Sequence, residues 1–197
     1  MKIILGLGNP GTEYETTRHN AGRIILDLIQ KECDGSDWEF NKINDALESE
    51  VKINKEKVLL LQPETFMNKS GNSLKKLVKS AKAGKEIVVI YDDLDLPLGK
   101  MKISFNKSSG GHKGLESIIR QVKTQEFPRF RIGIGLNQKS DGMTKKPKSV
   151  ENHVLGNFKE DEMKMLKKLA KKITEAMEVL VNEGWEKAAS LYSNIEI

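Results

Sequence analysis

The chain has 197 residues, 38% hydrophobic and 31% charged, enough for one domain with a core of its own. No apolar run approaches the ~18 residues that cross a bilayer, and no basic, apolar, small-residue leader opens it, so a soluble cytoplasmic protein with no membrane partner is expected. Thirty-three Lys+Arg against 28 Asp+Glu leave a net charge of +5, which permits a polyanionic partner without demanding one.

From the amino end, Ile3, Ile4 and Leu5 predict a strand over 2–6, followed by Gly6-Leu7-Gly8-Asn9-Pro10-Gly11. Glycine turns after strands bring backbone and small polar groups to the edge of a sheet, where α/β proteins build their sites. Thr17-Arg18-His19-Asn20-Ala21-Gly22 comes next, and Ala21, Ile24, Ile25, Leu28 and Ile29 predict a helix over 20–32. Cys33, the lone cysteine, reads as a reduced packing residue with no disulfide or metal companion. Residues 47–53 and 57–62 predict a hairpin around Asn54-Lys55-Glu56. Over 67–82 a helix is expected, with Leu74, Leu77, Val78 and Ala81 opposite Lys69, Lys75, Lys76, Lys79 and Lys82.

Ile87-Val88-Val89-Ile90 is the continuous apolar run of a strand buried on both faces. A strand at 100–105, a glycine turn at 110–111, a helix at 113–123 and the strand Phe130–Leu136 follow. The loop Gln138–Ser149 carries Lys139, Lys145, Lys146 and Lys148, with Gly142 and Pro147 opposing regular structure. From Lys159 to Val181, Met163, Leu166, Leu169, Ala170, Ile173, Met177 and Leu180 recur at helical spacing between lysines, predicting a long amphipathic helix. The fold class expected is α/β: a single three-layer α/β/α domain over 1–197 around a mixed, mostly parallel twisted sheet.

Polar residues unsuited to a core stand where strands end: Asn9, Asn68, Asp92 and Asp93. If the sheet gathers these ends, His19 meets two amides and a carboxylate. A carboxylate on one ring nitrogen fixes the tautomer while the other nitrogen takes a proton from water. Asparagine amides supply donors to an oxyanion or hold the attacking water. Asp93 and Asp95 stand as alternatives to Asp92, Asn9 also suits a turn, and Asn68 and His112 also suit helix caps. No nucleophile elbow is present, and His19, His112 and His153 lack zinc-ligand spacing. Direct attack by a His-activated water, without metal, is the simplest hydrolytic scheme.

These blocks, together with Phe66-Met67-Asn68-Lys69-Ser70-Gly71, Asp92-Asp93-Leu94-Asp95-Leu96-Pro97, Gly110-Gly111-His112, Arg131-Ile132-Gly133-Ile134-Gly135 and Val154-Leu155-Gly156, resemble bacterial peptidyl-tRNA hydrolases, in order and over essentially the whole chain. The resemblance implies an α/β/α monomer without cofactor or metal, cleaving the ester between a peptide and the 3′ ribose of tRNA. It implies His19 as catalytic base and Asp92 as its partner. Asn9 and Asn68 would contact the peptide and terminal nucleotide, with Tyr14 and Met67 lining the same cleft. The partner implied is peptidyl-tRNA, held at its acceptor end and 5′ phosphate.

Two positions depart from the family pattern. Lys113 stands where the family has asparagine; its ammonium can still donate to water or substrate, and its charge favours a neutral imidazole at His19. The opposite reading has it drawing Asp92 away. For the 5′ phosphate, Arg131 matches the family arginine, but the lysine position falls near Ser104, leaving Lys102 or Lys107 to replace it. Two rivals follow. Gly6-x-Gly8-x-x-Gly11 formally fits a dinucleotide fingerprint, but Pro10 and the stretch Thr12–His19 separate it from the helix that should face a pyrophosphate. A non-catalytic RNA-binding member of the family is the other, opposed by the retention of His19, Asp92, Asn9 and Asn68.

Overall fold

β1 (Lys2–Gly6) is followed by 3-10 turns at Thr12–Tyr14 and Arg18–Asn20 and then by α1 (Ala21–Glu32). β2 (Glu39–Asn41), β3 (Ala46–Ile53) and β4 (Glu56–Pro63) lead into a 3-10 segment, Met67–Leu74, and the short α2 (Ala81–Gly84). β5 (Ile87–Pro97), β6 (Lys100–Phe105), α3 (Lys113–Val122) and β7 (Pro128–Gln138) follow. β8 (Thr144–Lys145), α4 (Val150–Val154), α5 (Glu160–Glu183), α6 (Trp185–Tyr192) and β9 (Ile195–Glu196) complete the order in this computed structural model. It describes residues 2–138, 144–145, 147–193 and 195–197; Lys139, Gly142 and Lys146 of the basic loop lie outside the described residues.

The strands are ordered β2-β3-β4-β1-β5-β7-β6-β9, with β8 against β7. β4, β1, β5 and β7 are parallel neighbours. Both flanks, β2-β3-β4 and β7-β6-β9, pair antiparallel. The mixed sheet is thus parallel in its four central strands, whose joining crossovers put helices on both faces. Alternation along β1 splits the core. Ile4 joins Ile25, Leu60, Val88, Phe130 and the α5 residues Leu169 and Ile173 on one face. Ile3 and Leu5 join Leu61, Val89, Leu74, Leu115 and Ile118 on the other. Fully burying one such side chain contributes about 1.5–3 kcal/mol.

Two expectations change. The stretch 67–82 is not one helix but the 3-10 segment, a turn and α2. Gly71, Asn72 and Ser73 are weak helix formers, and Gly71 lies against the Ser117 backbone, which holds that segment on α3. Asp92 and Asp93 do not follow their strand but lie within β5, whose register shifts only between Asp93 and Pro97. The objection to the dinucleotide reading holds, since α1 starts at Ala21 and not within the glycine run.

Candidate active site

His19 sits in the 3-10 turn Arg18–Asn20, at the amino end of α1. Its neighbour Asn20 fixes the glycine turn: Oδ1 accepts the Asn9 N–H at 2.8 Å and Nδ2 donates to the Asn9 carbonyl at 2.9 Å. Asn9 Oδ1 in turn accepts the Met67 N–H at 2.9 Å. These bonds tie the ends of β1 and β4 together and leave Asn9 Nδ2 without a partner among the described residues. Asn68 is exposed beside Met67; Phe66, not Asn68, occupies the N-cap of the 3-10 segment.

Asp92 is buried between two imidazoles. His19 Nδ1 lies 2.9 and 3.0 Å from its two carboxylate oxygens, and His112 Nε2 lies 2.9 Å from Oδ1. The hydrogen bonds assign the tautomers. His112 Nδ1 accepts the Leu115 N–H at 3.2 Å, capping α3, so its Nε2 carries the proton that Asp92 accepts. His19 Nδ1 likewise donates to Asp92, leaving Nε2 with a free lone pair. Burial would raise the Asp92 carboxyl, but the charges and hydrogen bonds of His19 and His112 hold it far below its ordinary range. Burial lowers the His19 pKa, Lys113 lowers it further, and the charge and hydrogen bond of Asp92 outweigh both, so the net direction is upward. Tyr91, whose ring meets His112 edge-on at 5.0 Å, is pushed up to about 12 by burial and by Asp93.

His19 and Asp92 open into a cleft of about 830 Å³ lined also by Asn9, Met67, Asn68, Ser104, Lys107, Lys113 and Arg131, with Phe66, Val150 and Leu155 as apolar lining. Lys113 is exposed, and the oxygens of Asp92 are occupied by the imidazoles, so the two do not pair. Arg131 donates Nε–H to Asp93 Oδ2 at 2.6 Å, a partner the sequence did not suggest. Ser104 contributes a buried Oγ without a hydrogen-bond partner among the described residues. Lys102 pairs in register with Arg131 across β6 and β7 but does not line the cleft. Tyr14 does not line it either, contrary to expectation. It lies beyond Gly11, where its carbonyl accepts both the N–H and the hydroxyl of Thr17.

Sequence reasoning missed two residues. From its spacing His112 reads only as a packing or capping residue, because nothing there predicts a carboxylate from β5. Arg129 is wholly buried over the Phe127 ring, 4.6 Å away, and donates to the Ser108 carbonyl at 2.9 Å, anchoring the loop before His112. His19, Asp92 and His112 each offer a ligand atom within 4.8 Å of the others, the only such group among the described residues. A metal there would have to displace the shared protons and take His112 Nε2, forcing a proton onto the Nδ1 that caps Leu115. The bonds present fit a proton-holding cluster better than a ligand set.

The peptidyl-tRNA hydrolase family model matches residues 3–197. The chain is 42% identical to a peptidyl-tRNA hydrolase of Fervidobacterium nodosum over 197 residues, covering 99% of this chain and 97% of that one. It is 39% identical to one from Thermotoga maritima over 196 residues, covering 99% and 98%. The crystal structure of peptidyl-tRNA hydrolase from Acinetobacter baumannii superposes with a TM-score of 0.86 at 28% identity, covering all of this chain and 96% of that one.

Proposed function

The chain belongs to the peptidyl-tRNA hydrolase family and cleaves the ester of peptidyl-tRNA, and from that premise we propose how its residues divide the reaction. His19 Nε2 takes a proton from water as the oxygen attacks the ester carbonyl. Asp92 holds the ring through Nδ1 and stabilises the imidazolium that forms. Asn9 Nδ2 and the Asn68 amide donate to the carbonyl oxygen as it gains charge. The imidazolium then returns its proton to the departing ribose oxygen, giving a free tRNA hydroxyl and a peptide carboxylic acid that loses its remaining proton to solvent. His112 keeps Asp92 charged and in place, Met67 forms part of the cleft wall, and Lys113 favours the neutral form of His19. The observation that carries this reading is the bond of His19 Nδ1 to a buried Asp92 at the cleft.

For the tRNA, Arg131 and Lys107 line the cleft and meet the acceptor end and its 5′ phosphate, while Lys102 adds charge beside Arg131. The protein works as a cytoplasmic monomer, with 1–197 as one unit and no metal in the reaction. In support, one chain supplies the cleft from Asn9 to Leu155, and no described helix is long and apolar enough to cross a membrane. The test is peptide release from N-acetyl-aminoacyl-tRNA with EDTA present, for wild type and His19→Ala. Rapid release that the substitution lowers by about 10²–10⁴-fold is expected; a His19→Ala enzyme at the wild-type rate, or complete inhibition by EDTA, would overturn it.

A further inference from the structure

Among the described residues the His19 ring hydrogen-bonds only to Asp92, so its place along the cleft wall is set by the turn beneath it. That turn is held from one side by Arg18. Its Nη2 donates to both carboxylate oxygens of Glu162, at 3.0 and 2.9 Å, and its Nη1 to the Asn157 carbonyl at 2.8 Å. The side chains of this pair are only 14% and 15% exposed. The Arg18 guanidinium lies over the Phe158 ring, 5.5 Å from its centre. The backbone repeats the attachment: the Arg18 N–H donates to the Gly156 carbonyl at 2.9 Å and the Phe158 N–H to the Thr16 carbonyl at 2.8 Å. A Cβ on Gly156 would come within 3.2 Å of Arg18 Nη1, so the glycine leaves room for the guanidinium. Glu162 is engaged a second time, since Oε2 accepts the Lys159 N–H at 2.7 Å in the cap of α5. A forked, mostly buried pair with its partners filled fixes geometry more than it adds stability.

We propose that Arg18 and Glu162 form a clasp that positions the catalytic base, fastening the Arg18–Asn20 turn to the amino end of α5 so that His19 stays in reach of Asp92. The clasp accounts for Gly156 and the residues after it, which serve the turn rather than the substrate. The inference rests on His19 being the base. The ring itself meets Asp92 on β5 and lies 5.1 Å from the His112 ring, and Lys113 acts on it through its charge; Glu162 acts only through Arg18.

The test measures kcat and KM for N-acetyl-aminoacyl-tRNA in Arg18→Lys and Glu162→Gln, each alone and in the His19→Ala background, with melting temperatures. Glu162→Gln keeps an acceptor for the Lys159 N–H, so the α5 cap survives while the charge is lost. We expect kcat to fall about tenfold or more in both variants, with KM within about twofold and melting temperatures within ~4 °C of wild type. In the His19→Ala background neither substitution should lower the residual rate further, because the residue being positioned is gone. Unchanged kcat in both variants, an equal loss in the His19→Ala background, or a loss that follows melting temperature would each overturn the clasp. A His19→Ala enzyme at the wild-type rate would remove the base itself, separating that failure from a failure of the clasp.

Discussion

At Asp92 one carboxylate serves two histidines, and the consequences can be measured one residue at a time. In the proposed reaction His19 must be neutral to act as the base, and its pKa is raised, burial and Lys113 being outweighed by Asp92. The acid limb of kcat/KM is therefore expected above the 6.5 of an unperturbed histidine, with activity falling as pH drops through it. Asp92→Asn removes the charge that raises this pKa and the acceptor that fixes the tautomer. It should move the limb to lower pH and reduce kcat by about 10²–10⁴-fold; a profile left in place would rule out Asp92 as the partner. Lys113 pushes the other way, so Lys113→Asn should shift the limb upward while keeping or raising the rate at alkaline pH. A fall of more than about tenfold there, ~1.4 kcal/mol, would mean that the lysine itself takes part in the reaction.

Among the elements, α3 and α1 deliver the site, and each can be perturbed separately. His112 both caps α3 and braces Asp92. His112→Ser retains a good N-cap but is too short to reach the carboxylate, so melting should hold within ~4 °C while kcat falls about tenfold. Equal losses in both would make the histidine a cap alone. α1 seats on the sheet through Gly22, where a Cβ would overlap the Ile90 carbonyl and the Leu7 backbone. Gly22→Ala should cost about 1–3 kcal/mol, read as a lowered melting temperature, because backbone cannot yield as a side chain can. The longer elements were legible from apolar periodicity: β1, α1, the β3–β4 hairpin, β6, α3 and α5 lie where the pattern puts them. β2, α4, α6 and β9 are short and bury too few apolar residues to leave a periodic trace. At 67–82 the lysine and leucine spacing mimicked a helix that Gly71 and its contact with α3 prevent.

For the whole molecule, the net charge of +5 is small, but Lys107, Lys113 and Arg131 converge on one cleft. Raising salt should therefore raise KM far more than it lowers kcat. Lys107→Ala should weaken 5′-phosphorylated substrate more than a dephosphorylated one, and more than Lys102→Ala does; the reverse order would place the phosphate on the other side of β6. The sequence by itself determined the family and the α/β class, and it singled out the histidine, carboxylate and asparagines proposed for the reaction, because motif residues and apolar period are local properties that survive in one dimension. Only the tertiary structure decided that His112 reaches Asp92, that Arg131 answers Asp93, that Tyr14 stays out of the cleft, and that Arg18 meets a glutamate 144 residues away. Those pairings depend on strand order and on where each crossover lands, and no spacing along the chain encodes the distance between two side chains brought together by different elements.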